Sequence, residues 1–139
     1  MELEVIKNKI YEIRGHKVML DFDLAELYNT ETKRIKESVR RNINRFPTDF
    51  MFELTENEFQ SLRSQIASSN RGGSRYMPFA FPEQGVAMLS SILNSDKAIE
   101  INIAIMRTFV TIRQFSLSYA ELKTRIEEIE KQFPDIYKA

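Results

Sequence analysis

From Ile101 to Ile129 the chain repeats apolar or near-apolar residues at a spacing that only a helix can use: Ile101, Ile105, Thr108, Ile112, Phe115, Tyr119, Leu122, Ile126 and Ile129. From position 105 the steps alternate between three and four, the heptad rhythm of a helix that turns one stripe toward a partner. A single long helix is therefore predicted. It starts after Asn94-Ser95-Asp96, which stops one helix and caps the next, and ends near Pro134. Around Ile101–Ile112 the stripe must pack on its own domain. Beyond about Leu117 little sequence remains to cover it, so self-association is expected there. Ile112, Phe115, Tyr119, Leu122, Ile126 and Ile129 are the candidate dimerisation residues. Phe133 and Ile136 would continue the seam past that break, and because the chain ends soon after the seam begins it is expected to be the N-terminal part of a longer protein.

The preceding two-thirds of the chain has a different grammar, made of short apolar runs and frequent breaks. Val5-Ile6 and Ile10-Tyr11-Glu12-Ile13 read as strand, Arg14-Gly15-His16-Lys17 as a turn, and Val18-Met19-Leu20 as the returning strand of a hairpin. Asp21 is placed to N-cap a short helix carrying Leu24, Leu27 and Tyr28, interrupted at Asn29-Thr30. A second helix is predicted over 31–45 with Ile35, Val39 and Ile43 as its buried face. Phe46-Pro47 ends it. Phe50–Leu54 reads as a strand, and Thr55 with Glu58 forms a capping box for a helix reaching Ala67. A polar loop over 68–76, a strand over Met77–Phe81 and a helix over 83–93 beginning after Pro82 complete the series. The expected fold class is α+β: a helix-turn-helix-like unit with small strands and a hairpin, followed by a long C-terminal helix. The corresponding division is a domain over 1–115 and a coiled-coil-like segment over 116–139.

Charge is segregated rather than balanced locally. The net charge is +0, yet residues 33–45 hold Lys33, Arg34, Lys36, Arg40, Arg41 and Arg45 against Glu37 alone. Helical geometry puts Lys33, Lys36 and Arg40 on one stripe, and Arg34, Arg41 and Arg45 on its neighbour, both away from the apolar face. Like charges at these spacings cost stability unless a partner offsets them. Duplex DNA is such a partner. A helix fits the major groove, arginine can read guanine, and lysine neutralises phosphate. Asn42 and Asn44 could reach adenine or the backbone. The plainer reading is a solvated helix face. Arg71 and Arg75 flank Gly72-Gly73-Ser74 in the polar loop, which either drapes along a DNA backbone or simply connects a helix to a strand.

Other chemistries find little support. There is no cysteine and one histidine, His16, so thiolate and His-rich metal sites are out of reach. Asp21, Asp23 and Glu26 are read as helix-start residues rather than a nuclease centre. No phosphate-cradling loop and no nucleophile elbow occur. No window is apolar enough to span a bilayer and no leader is evident. The expectation is a cytoplasmic protein that is not an enzyme, needs no cofactor or metal, takes no small-molecule substrate and binds double-stranded DNA as a homodimer.

Several blocks also resemble a known family. Ile13-Arg14-Gly15-His16-Lys17-Val18-Met19-Leu20-Asp21, Asp23–Tyr28, Asn42–Phe52 (NINRFPTDFMF) and Phe81–Ser91 (FPEQGVAMLSS) are similar in order to the ORF6N domain. That family is related to the KilA-N and Bro-N domains of phages and large DNA viruses. The resemblance covers about residues 5–115 and implies a DNA-binding domain of an antirepressor-like regulator of prophage type. It supplies no catalytic residues. Ser74 stands where the family often has another basic residue, and Pro82 where threonine is usual. A module binding an acidic protein partner, such as a repressor, is the competing function.

Overall fold

The computed structural model describes residues 3–64 and 76–132. In chain order these form α1 (Leu3–Lys7), β1 (Ile10–Ile13), β2 (His16–Leu20), α2 (Asp21–Tyr28), α3 (Thr32–Arg41), a 3-10 turn (Ile43–Arg45), β3 (Phe52–Glu53), α4 (Glu56–Arg63), β4 (Phe79–Pro82), α5 (Glu83–Leu93) and α6 (Asp96–Gln132). The fold is α+β. Its single described sheet is antiparallel throughout, in the order β1-β2-β4-β3. The chain divides into two compact units, residues 1–106 and 107–139.

The hairpin forms where the turn signal sits. Arg14 and Gly15 both take positive φ, 55° and 77°, the pair of values that a two-residue type I′ turn needs to match strand twist. β2 and β4 are the central strands, with Val18 opposite Pro82, Met19 opposite Phe81 and Leu20 opposite Ala80. Val18–Leu20 of β2 and all of β4 are buried whichever face they point to, which explains why these stretches read as continuous apolar runs rather than alternating ones. Val18, Leu20 and Ala80 face one core, shared with Ile13, Leu54, Phe59 and Leu62. Met19 and Phe81 occupy the other face, and Phe46 meets Phe81 edge-on at 6.1 Å between ring centroids.

Three sequence-level expectations are corrected. Val5-Ile6 lies in a helix, not a strand; α1 buries Ile6 and carries Glu4 in its first turn and Lys7 in its last, the charge order a helix dipole favours. The strand expected over Phe50–Leu54 shrinks to Phe52–Glu53 because the N–H groups of Phe50 and Met51 already donate to the Pro47 carbonyl. The helix expected over 31–45 ends at Arg41. Asn42 leaves the helical region at φ −122° while its side-chain amide donates to the Ser38 carbonyl at 2.8 Å, a side-chain bond that offers the backbone a way out of the helix. Ile43, beyond that break, is 52% exposed instead of buried. The helix predicted to Ala67 is described to Arg63, and residues 65–67 lie outside the described range.

α5 is pressed close to the segment that follows the 3-10 turn. A Cβ on Gly85 would stand 1.8 Å from the Phe50 carbonyl oxygen, so only glycine allows this approach. Beside it the Gln84 amide donates to the Asp49 carbonyl at 2.6 Å. The blocks 42–52 and 81–91, far apart in sequence, therefore meet in space.

Candidate nucleic-acid interface

α2 and α3 are joined at Asn29, whose left-handed backbone (φ 58°) ends α2; the Asn29 N–H donates to the Glu26 carbonyl and the Thr30 N–H to the Ala25 carbonyl. Asparagine is one of the few non-glycine residues that take this conformation readily. Ile35 and Val39 are fully buried and fix which side of α3 faces inward. The outward side then carries Lys33, Arg34, Arg40 and Arg41, all exposed, with Glu37 between them. Asn44 and Arg45 are exposed on the 3-10 turn, and the Arg45 guanidinium donates to Ser91 Oγ on α5 at 3.3 Å.

Lys36, expected among the outward contacts, is turned inward. Its ammonium donates to the Met77 carbonyl at 2.8 Å and lies 3.5 Å from Asp21 Oδ2. It also sits 4.9 Å from the centre of the Phe79 ring. A charge so enclosed is held by its partners and is not presented to a groove. The other end of the pair corrects a second reading. Asp21 is not an N-cap; Leu20 holds that position, and Asp21 is the first residue of α2. Its carboxylate accepts from the N–H of Phe22 at 2.8 Å and of Phe79 at 3.0 Å. Burial raises the Asp21 pKa, opposed by the Phe79 N–H and by the Lys36 charge. Asp21 thereby binds α2, α3 and the start of β4 at one point.

This node puts the chain entering β4 against α3. Tyr76 is 67% exposed, with its ring 5.8 Å from the Lys36 ammonium, and the Arg40 guanidinium lies 5.5 Å from the Phe79 ring. Stacking on an aromatic face restrains an arginine without neutralising it. Sequence reading did not single out Tyr76 or Phe79, because nothing local signals that a residue before β4 stands beside a helix some forty positions earlier. Arg71 and Arg75 lie outside the described residues.

The acidic residues near the hairpin are engaged elsewhere. Lys9 lies 3.6 Å from Asp23 and 3.5 Å from Glu26. Arg14 holds Glu58 through two hydrogen bonds of 2.8 and 3.0 Å while stacking over Phe52 at 4.2 Å. His16 is exposed. Among the described residues no group of three or more histidine, cysteine or acidic side chains is placed to hold a metal ion. No described helix is long and apolar enough to cross a membrane.

The ORF6N domain is matched over residues 8–92, from the hairpin to the end of α5. The chain belongs to the ORF6N domain family. No curated protein and no solved structure matches it significantly. The matched span contains the whole α2–α3 unit, the Asp21–Lys36 node and the Gly85–Phe50 approach. The matched span thus holds all four described strands and the contacts that orient α3.

Proposed function

We propose that this ORF6N domain binds double-stranded DNA by laying the outward face of α3 in the major groove, as part of a phage-type regulatory protein. One observation carries the reading: with Lys36 withdrawn into the fold, four cations still point outward from α3, and only Glu37 lies among them. The major groove is wide enough to admit an α-helix such as the ten-residue α3. Arg40 and Arg41 are the leading contacts, Lys33 and Arg34 reach toward phosphates, and Arg45 and Asn44 extend the surface past the helix end. Arg71 and Arg75, which lie outside the described residues, would add backbone contacts.

The test is fluorescence anisotropy of the 139-residue chain with a labelled duplex, titrated across salt. The logarithm of the affinity should fall with the logarithm of salt by about 0.9 for each phosphate contact. Arg40→Glu with Arg41→Glu should weaken binding tenfold or more, with the circular dichroism spectrum unchanged because both side chains are exposed. Undiminished affinity in that variant removes α3 from the interface. Absence of binding at low salt favours the module that recognises an acidic protein.

A further inference from the structure

We infer that the distal half of α6 forms a parallel, two-stranded coiled coil with a second copy of this chain. Along α6 the residues Ala98, Ile101, Asn102, Ile105, Thr108 and Phe109 are buried. From Val110 onward the side chains are exposed, apart from half-buried Ile112. The exposed part nevertheless keeps an apolar stripe: Phe115 is 73% exposed, Leu122 57%, Ile126 45% and Ile129 46%. Assigning Ile112, Tyr119 and Ile126 to heptad position a places Phe115, Leu122 and Ile129 at d. This is a continuous seam over three heptads. Leu117, at f, is the one large aliphatic residue there outside it.

The flanking positions indicate the occupant and its direction. Arg125 falls at g and Glu130 at the following e; Lys123, also at e, faces uncharged Ser118 in a parallel pair, and Ser116 and Gln132 are uncharged as well. In a parallel pair each g residue faces the e residue five positions later on the partner, and such pairs set partner choice and orientation. Two copies then make the Arg125–Glu130 pair twice, related by the two-fold axis. An antiparallel pair sets g against g. In the register that packs Ile126 on Leu122 it brings the two Arg125 side chains to the same level and the two Lys123 side chains likewise; the register that joins Lys123 to Glu130 leaves Ile112, Phe115 and Tyr119 opposite no residue of α6. The chain therefore complements itself best in parallel, a two-fold arrangement that attaches both ORF6N domains to the same end of the coil. The inference does not depend on DNA binding.

Mass measurement by light scattering and single-cysteine cross-linking, both on the whole chain, test it together. The sequence contains no cysteine, so Phe115→Cys and Ile129→Cys each introduce one thiol at an exposed d position. These sites are fourteen residues apart, about 21 Å along a helix. At about ten micromolar the unmodified chain should elute at twice its 16.3 kDa mass, and Leu122→Asp should return it to the monomer. Air oxidation should convert most of both cysteine variants to disulfide-linked dimers. Cross-linking of only one, or of neither, overturns the parallel arrangement, because an antiparallel pair can bring only one of the sites opposite itself. A monomer, or a trimer, for the unmodified chain overturns the two-stranded coil outright.

Discussion

Two of this domain's ion pairs, Asp21–Lys36 and Arg14–Glu58, differ in almost everything except charge. Asp21 and Lys36 meet inside, with side chains 1% and 10% exposed, where α2, α3 and the start of β4 converge. Arg14 and Glu58 meet at the rim, 44% and 22% exposed, where the hairpin turn touches the start of α4. The rim pair has the better geometry, with two short hydrogen bonds. It is also the less consequential, because water already solvates most of what it joins. The inner pair has the longer separation, but its charges have no solvent to fall back on. The difference teaches that proximity measures an interaction poorly; what matters is what each group would face without its partner.

The pH responses separate the pairs by sign. Hydrogen bonds from the Arg14 guanidinium hold the Glu58 carboxyl down to about 2. A lowered carboxylate contributes stability that is present above its unfolded value near 4.3 and is lost as pH falls toward about 2. For Asp21 burial raises the pKa. Its folded state holds the proton longer than the unfolded chain does, so this group lowers stability as pH rises past its unfolded value near 3.9.

The largest effect is expected at Lys36. Lys36→Met should cost about 3–5 kcal/mol at neutral pH, as expected for a buried charge stripped of its partner. Chemical denaturation should show the loss shrinking as pH is lowered toward 4, because Asp21 then takes up a proton. A loss that stays constant with pH would mean that packing, not charge, is what Lys36 supplies. Adding Asp21→Asn to Lys36→Met should recover part of that loss, since no unpaired charge is left inside. A double variant no better than the single one would show that the hydrogen bonds to Phe22 and Phe79 outweigh the ion pair.

Smaller effects sharpen the rim. Thr55→Ala removes the hydroxyl that accepts from the Glu58 N–H and should cost about 1 kcal/mol, the ordinary value of an N-cap. Glu58→Gln should lower the thermal midpoint slightly at pH 7 and leave it indistinguishable from the parent near pH 2. The smallest change is expected for Arg14→Gly. The paired guanidinium is lost, but the residue at φ 55° becomes one that takes this backbone without strain. The two effects oppose each other, and a large fall in midpoint would show that the stacking of Arg14 on Phe52 matters more than its exposure suggests.

Legibility in the sequence followed the range of the cause. The Thr55–Glu58 capping box forms with both reciprocal hydrogen bonds, because its partners lie three residues apart. The hairpin turn, the break at Asn29 and the helix over 83–93 were legible for the same reason, and so was the family. Ile43 was not, because Asn42 diverts the backbone one residue earlier.

Periodicity and punctuation were legible along the chain: which of the longer stretches are helical, where the hairpin turns, and that cations crowd residues 33–45. These depend on neighbours along the chain. Packing between distant segments is what turns Lys36 away from that crowd, sets Asp21 to hold β4 rather than cap α2, and requires Gly85 to lie bare against Phe50. Each depends on a residue 15 to 58 positions away, and an amphipathic pattern specifies that a side is buried without specifying which polar atoms wait there. A lysine on the edge of an apolar face has the same helical phase whether it meets water or an aspartate.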